Sequence, residues 1–182
     1  MSSRRTALIV LVPEADLAVG RLRMELDPVA RLGVPAHFSV LFPFVPADQI
    51  SDDLRARVAE LFRRASPFTH TLTGTDWFGH DVLWMSSSAD EQFSELTRRV
   101  WKAFPAHPPY EGVFGVDVVP HLTIAYRAAL SDMRAAEQEV KAYLPIEVDS
   151  RAVTLMTEQS DGRWRAAASF TLGLHGHPTL AR

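Results

Sequence analysis

His37-Phe38-Ser39-Val40-Leu41-Phe42 is closed by Pro43, and His121-Leu122-Thr123-Ile124 follows directly on Pro120. Each is a short run rich in β-branched and aromatic residues beside a proline, the composition of a strand. Alternate side chains of a strand share a face, so His37 and Ser39 point one way while Phe38, Val40 and Phe42 point the other. His121 and Thr123 do the same, opposite Leu122, Ile124 and Tyr126. The pattern of His, apolar, hydroxyl, apolar thus occurs twice, and the doubling governs how the remaining chain is read.

Working outward, the first half opens with a strand over Thr6 to Val12 and a helical segment from Glu14 to Arg31. That segment carries Leu17, Leu22, Leu26 and Val29 at helical spacing, with Gly20 and Asp27-Pro28 as interruptions. After Asp48, residues Leu54, Val58, Leu61 and Phe62 mark a second helix, and Phe68 to Trp77 and Val82 to Ser86 read as strands joined through Gly79-His80-Asp81. In the second half, Ser88-Ala89-Asp90-Glu91 has capping-box spacing ahead of the stripe Phe93, Leu96, Val100 and Phe104, which Pro105 ends. A loop from Ala106 to Gly115 leads into a strand region over Val116 to Tyr126, interrupted by Pro120. Met133, Ala136, Val140 and Leu144 form the next helix, capped by Ser131 or Asp132, and Ala152 to Gln159 with Trp164 to Leu174 form a closing hairpin.

Each half runs strand, helix, histidine strand, helix, strand. This order predicts a pseudo-duplicated, bilobal α+β protein whose two antiparallel sheets line a central cleft, with helices outside. No linker rich in Gly and Ser divides the chain, so residues 1–182 are expected to form one bilobal folding unit, with 175–182 a loose tail.

Composition narrows the function. The 182 residues include no cysteine, which excludes thiolate nucleophiles, iron–sulfur clusters and cysteine-based zinc sites. A net charge of -3 argues against a broad basic surface for long nucleic acid, so no DNA partner is expected, while a nucleotide or an RNA end fits. The early apolar run Ala7 to Val12 is too short for a secretory signal, and no stretch approaches the roughly 20 residues needed to span a bilayer. A cytoplasmic, monomeric protein without a membrane role is expected.

Helices covering the apolar faces of the two histidine strands would leave two imidazoles and two hydroxyls facing the cleft. Such a set suits a phosphodiester, where one group takes a proton from the attacking oxygen and another gives one to the leaving oxygen. Imidazole, with an unperturbed pKa of about 6.5, supplies both forms near neutrality, while Ser39 and Thr123 donate to phosphate oxygens. The scheme calls for no metal and no cofactor.

The words Gly33-Val34-Pro35-Ala36-His37-Phe38-Ser39-Val40-Leu41-Phe42-Pro43-Phe44 and Val119-Pro120-His121-Leu122-Thr123-Ile124-Ala125 resemble the 2H phosphoesterase superfamily, particularly its 2'-5' RNA ligase-like branch. The resemblance implies a bilobal fold with both motifs on a central groove and metal-independent cleavage of 2',3'-cyclic phosphates or 2'-5' linkages. It implies His37 and His121 as the acid and base, with Ser39 and Thr123 as phosphate ligands. In the branch an arginine soon after the second motif often holds phosphate. Arg127 lies six residues beyond His121, and strand parity puts it on the His121 face. The first motif has Ser where Thr is commoner. The expected reaction opens a 2',3'-cyclic phosphate, on a small cyclic nucleotide or an RNA terminus, to a 2'-phosphate. The alternatives are a 2'-5' RNA ligase or nuclease acting on oligonucleotides, and a non-catalytic nucleotide- or RNA-binding member.

Phe44, Phe78 and Tyr110 are candidates for stacking on a base, whereas Phe38 and Phe42 alternate into the core. Arg163, Trp164 and Arg165 read as an exposed hairpin tip, and His175-Gly176-His177 as part of the tail rather than a metal site. The arginines at 55, 57, 63 and 64 interleave with acids and read as a solvated helix face.

Overall fold

The computed structural model describes residues 4–115 and 118–173, so the His175-Gly176-His177 segment lies outside the described residues. Among the described residues eight strands form two four-stranded antiparallel sheets. β1 (Thr6–Leu11), β2 (His37–Leu41), β7 (Ala152–Glu158) and β8 (Trp164–Thr171) build the first, in the order β2-β1-β7-β8. β3 (Phe68–Phe78), β4 (Val82–Ser87), β5 (Leu122–Tyr126) and β6 (Ile146–Ser150) build the second, in the order β5-β4-β3-β6. The two histidine strands are therefore corresponding edges of corresponding sheets. β6 is an element the hydropathy pattern did not signal: only Ile146 and Val148 alternate with Glu147 and Asp149 in five residues, as an edge strand allows.

The helices are α1 (Asp16–Leu26), α2 (Pro28–Arg31), α3 (Asp52–Arg63), α4 (Asp90–Ala103) and α5 (Leu130–Lys141). The segment expected as one helix to Arg31 breaks at Asp27, whose side chain accepts from the Val29 amide at 3.2 Å and so starts α2 with Pro28 in its first position. The apolar spacing there was misleading. Leu17 is 84% exposed and Val29 41%, and the face that α1 buries consists of Ala18, Val19, Leu22 and Arg23. The capping box at Ser88 is not formed either: α4 is capped by Ala89, and the Ser88 hydroxyl instead accepts from the Thr71 amide at 3.0 Å. α5 starts at Leu130 behind Ala129, with Ser131 and Asp132 inside its first turn rather than capping it.

The halves are stitched together by exchange. α4, from the second half, covers β2, and α1, from the first, covers β5. Phe93 of α4 stacks on Phe38 at a centroid distance of 4.2 Å, and the Thr97 hydroxyl donates to the Val40 carbonyl at 2.8 Å. Each motif's apolar face is thus buried by the other half's helix, and one continuous core runs beneath both. Among the described residues no helix is long and apolar enough to cross a membrane.

Gly33 shapes the approach to β2. Its φ of +95° disfavours L side chains, and an added Cβ would sit 2.9 Å from the Trp164 carbonyl oxygen. Trp164 cannot recede, because its amide donates to the Leu32 carbonyl at 2.7 Å. Gly33→Ala is expected to cost about 1–3 kcal/mol, read as a lowered urea midpoint with unchanged slope.

Candidate active site

Both histidine strands carry a bulge at the same motif position. In β2, Ser39 pairs with Ile9 and Leu41 with Leu8, which leaves Val40 as the extra residue. In β5, Thr123 pairs with Trp84 and Ala125 with Leu83, which leaves Ile124 extra. A bulge resets strand parity. Val40 and Leu41 are consecutively buried, as are Ile124 and Ala125. Phe42 and Tyr126, expected on the core face, therefore turn to the face of the histidines. Phe42 joins a small apolar cluster with Ile9, Met156 and Trp164, and Trp164 is only 8% exposed rather than part of an open hairpin tip.

The same bulge shifts the parity expected of Arg127. Alternation without a bulge puts it on the His121 face, but Tyr126 occupies that parity and β5 ends there. Arg127 has φ +50°, and its Nε donates to Asp81 at 3.2 Å with the side chain exposed. Phe44 lies in the core. At 3% exposure, edge-on to Phe104 at 5.2 Å, it has no ring face left for a base.

The remaining motif groups are half-buried on facing strands: His37 and Ser39 on β2, Thr123 on β5 and His121 just before it, with β2 and β5 in contact across the sheets. Their anchoring is the same in both halves. His37 Nδ1 lies 2.8 Å from the Pro35 carbonyl, and His121 Nδ1 lies 2.8 Å from the Val119 carbonyl. A carbonyl only accepts, so each Nδ1 carries the hydrogen and each Nε2 is the nitrogen free to take up or release a proton.

The surroundings differ, and so do the electrostatics. Burial lowers the His37 pKa to about 4, helped by the charge of Arg23 and a smaller effect of His121, against the Pro35 hydrogen bond. Arg23 is itself buried on α1, paired with buried Asp27 at 2.8 Å. Burial also lowers the His121 pKa, opposed by the Val119 carbonyl, and no cation adds to it. His121 packs against Phe78, edge-on at 5.0 Å, and Phe78 stacks on Trp84 at 4.9 Å. Tyr110 comes from the loop after α4, where its amide donates to the Phe42 carbonyl at 2.6 Å, and burial pushes its phenol pKa up.

One histidine carried no sequence signal. His70 on β3 is 5% exposed, with Nδ1 2.7 Å from the Ser87 hydroxyl and Nε2 3.1 Å from the Ser150 hydroxyl. It stands edge-on to Phe93 at 5.2 Å and Phe38 at 5.8 Å, a polar prop beneath the first motif. Among the described residues no three His, Asp or Glu side chains gather to hold a metal ion. A concavity of about 420 Å³ between Trp77, His80 and Arg134 includes neither motif.

No curated protein sequence matches the chain. Solved structures share its fold. A Thermus thermophilus protein, TT0787, has a TM-score of 0.63 at 19% identity, covering 94% of this chain and 100% of its own. Escherichia coli LigT in complex with 3'-AMP has a TM-score of 0.59 at 16% identity, covering 95% and 100%. A structure described as a phosphoesterase gives 0.58 at 16%, with the same coverage as LigT, 95% and 100%. The sequence model of one family spans residues 11–162, most of the chain and both histidine motifs, and by that match the chain belongs to the 2'-5' RNA ligase superfamily.

Proposed function

We propose that the protein is a phosphodiesterase that opens the 2',3'-cyclic phosphate of a nucleotide or an RNA end to a 2'-phosphate, as a cytoplasmic monomer and without a metal. Membership of the superfamily supports phosphodiesterase or ligase chemistry. The observation that carries the finer reading is the pair of imidazoles, each held through Nδ1 by a carbonyl two residues earlier and each beside a hydroxyl. LigT has been solved with 3'-AMP, NADP+ and ATP, which supports a nucleotide-sized ligand, and a net charge of -3 favours a compact anion over long RNA.

In this reading His37 is the base and His121 the acid. Burial and the Arg23 charge hold His37 neutral, ready to take a proton from the attacking water. The water oxygen bonds to phosphorus, the bond from phosphorus to the 3' oxygen breaks, and that oxygen takes the proton of His121 Nε2. Ser39 and Thr123 donate to the non-bridging oxygens. Arg127 and Phe44 have no part, given the Asp81 pair and the burial described above.

The test is phosphorus NMR of the protein with 2',3'-cyclic nucleotides in the presence of chelator. Conversion to a 2'-phosphate is expected, and failure of every cyclic nucleotide to react would sink the substrate assignment. The profile of kcat/KM against pH checks the division of labour. It should rise through about pH 4 as His37 deprotonates and fall as His121 loses its proton below the usual 6.5, placing the maximum between these values. A maximum above pH 7.5 would contradict it.

A further inference from the structure

We propose that the face of the Phe78 ring turned away from Trp84 is the seat of the substrate's nucleobase, which extends the Trp84–Phe78 stack into the cleft beside His121. The inference rests on the phosphodiesterase reading and narrows its substrate to a diester that carries an aromatic base.

Register puts these rings on the motif side of the sheet. Asp76 pairs with Trp84 and Trp84 with Thr123, so the three side chains share the face of the second motif, and Phe78, two residues beyond Asp76, shares it too. Phe78 stacks on Trp84 with centroids 4.9 Å apart and planes 25° from parallel. His121 lies 5.0 Å from Phe78 and 6.1 Å from Trp84. These separations set the directions from Phe78 to Trp84 and to His121 at a little under a right angle. The imidazole therefore stands beside the stack and leaves uncovered the Phe78 face opposite Trp84. Among the described residues half-buried Phe78 has no other ring or cation contact.

The other rings near the motifs are engaged. The Arg5 guanidinium lies over Phe42 at 5.8 Å and over Trp164 at 5.7 Å, and that of Arg127 lies over Tyr126 at 5.2 Å. Tyr110 meets Phe114 edge-on at 5.5 Å. Trp84 supplies a second, independent observation: its Nε1–H is buried without a hydrogen-bond partner. An unsatisfied buried donor costs stability, and a leucine in that place would avoid the cost. What the indole provides is a wide flat surface that holds Phe78 parallel to it. A base held by stacking needs no hydrogen-bond reader, because every base has a π face. With the base on Phe78 and the phosphate at His121 and Thr123, the ribose of a cyclic nucleotide bridges the two.

Phe78→Leu and Phe78→Tyr test this on two substrates, 2',3'-cyclic AMP and the cyclic phosphate of methyl riboside, which has no base. The ratio of their kcat/KM values should fall about tenfold in Phe78→Leu, carried by the KM for cyclic AMP, as expected for one base stacked on an aromatic side chain. Phe78→Tyr, whose ring keeps both faces, should keep the ratio. Taking the ratio within each protein cancels any effect of the substitution on His121 or on folding, because that effect reaches both substrates alike. An unchanged ratio in Phe78→Leu, or one that Phe78→Tyr fails to keep, overturns the proposal and leaves the phosphodiesterase reading standing. If the unmodified protein opens neither ester, the phosphodiesterase reading falls, and calorimetric affinity for 2'-AMP beside ribose 2-phosphate decides the base seat by the same ratio. Binding of neither compound overturns both.

Discussion

Replacing His121 by alanine is expected to lower kcat on a 2',3'-cyclic nucleotide by about 10²–10⁴-fold, the usual contribution of a positioned general acid or base. His37→Ala should lose a similar amount. The two losses should not multiply. Proton removal from water and proton delivery to the leaving oxygen belong to one displacement, and groups that act as a unit are non-additive when removed together. The double variant should therefore be little slower than either single one. The alanines should leave the fold intact, since both rings are half-buried on cleft-facing edges rather than in the continuous core. Initial rates by phosphorus NMR decide the matter, and either single variant retaining about half the original rate would remove that histidine from the chemistry.

Phe38→Ala should give the largest loss of stability, about 3–5 kcal/mol. Phe38 is 0% exposed, stacked on Phe93 at 4.2 Å and edge-on to His70 at 5.8 Å. Truncation leaves a cavity between β2 and α4 and removes the face against which His70 is held. A typical domain has only about 5–15 kcal/mol in hand, so the variant should lose a large share of its stability. Urea unfolding of this variant beside Leu17→Ala makes the comparison internal: Leu17 is 84% exposed, and its loss should stay within about 0.5 kcal/mol. A Phe38→Ala cost under about 1 kcal/mol would mean that α4 does not depend on the first motif for its seat.

Both expectations start from alternation along the motifs, which the amino-acid sequence displays directly. His37 with Ser39 and His121 with Thr123 share a face because a strand repeats every two residues, and the apolar residue between each pair enters the core. The same rule failed two or three residues later. Phe42, Tyr126 and Arg127 were misplaced because a bulge is a mismatch between two strands, and no single strand's sequence shows it. Leu17 and Val29 were misread in another way. Apolar spacing marks a possible buried face, but the helix buries the side that meets a neighbour, and for α1 that neighbour is β5, about a hundred residues away.

What the sequence determined by itself is therefore local: two histidine strands, the helices between them, the repeat of plan, and the chemistry available to two imidazoles and two hydroxyls. Tertiary structure decided which groups share a site and how they differ. It exchanged α1 and α4 between the halves, paired Arg127 with Asp81, buried Phe44 against Phe104, and tied the Tyr110 amide to the Phe42 carbonyl. It also set buried Arg23 near His37 and aromatic rings around His121. The reason is range. Periodicity and composition report on neighbours along the chain, whereas register, burial and field are sums over partners that only folding brings together.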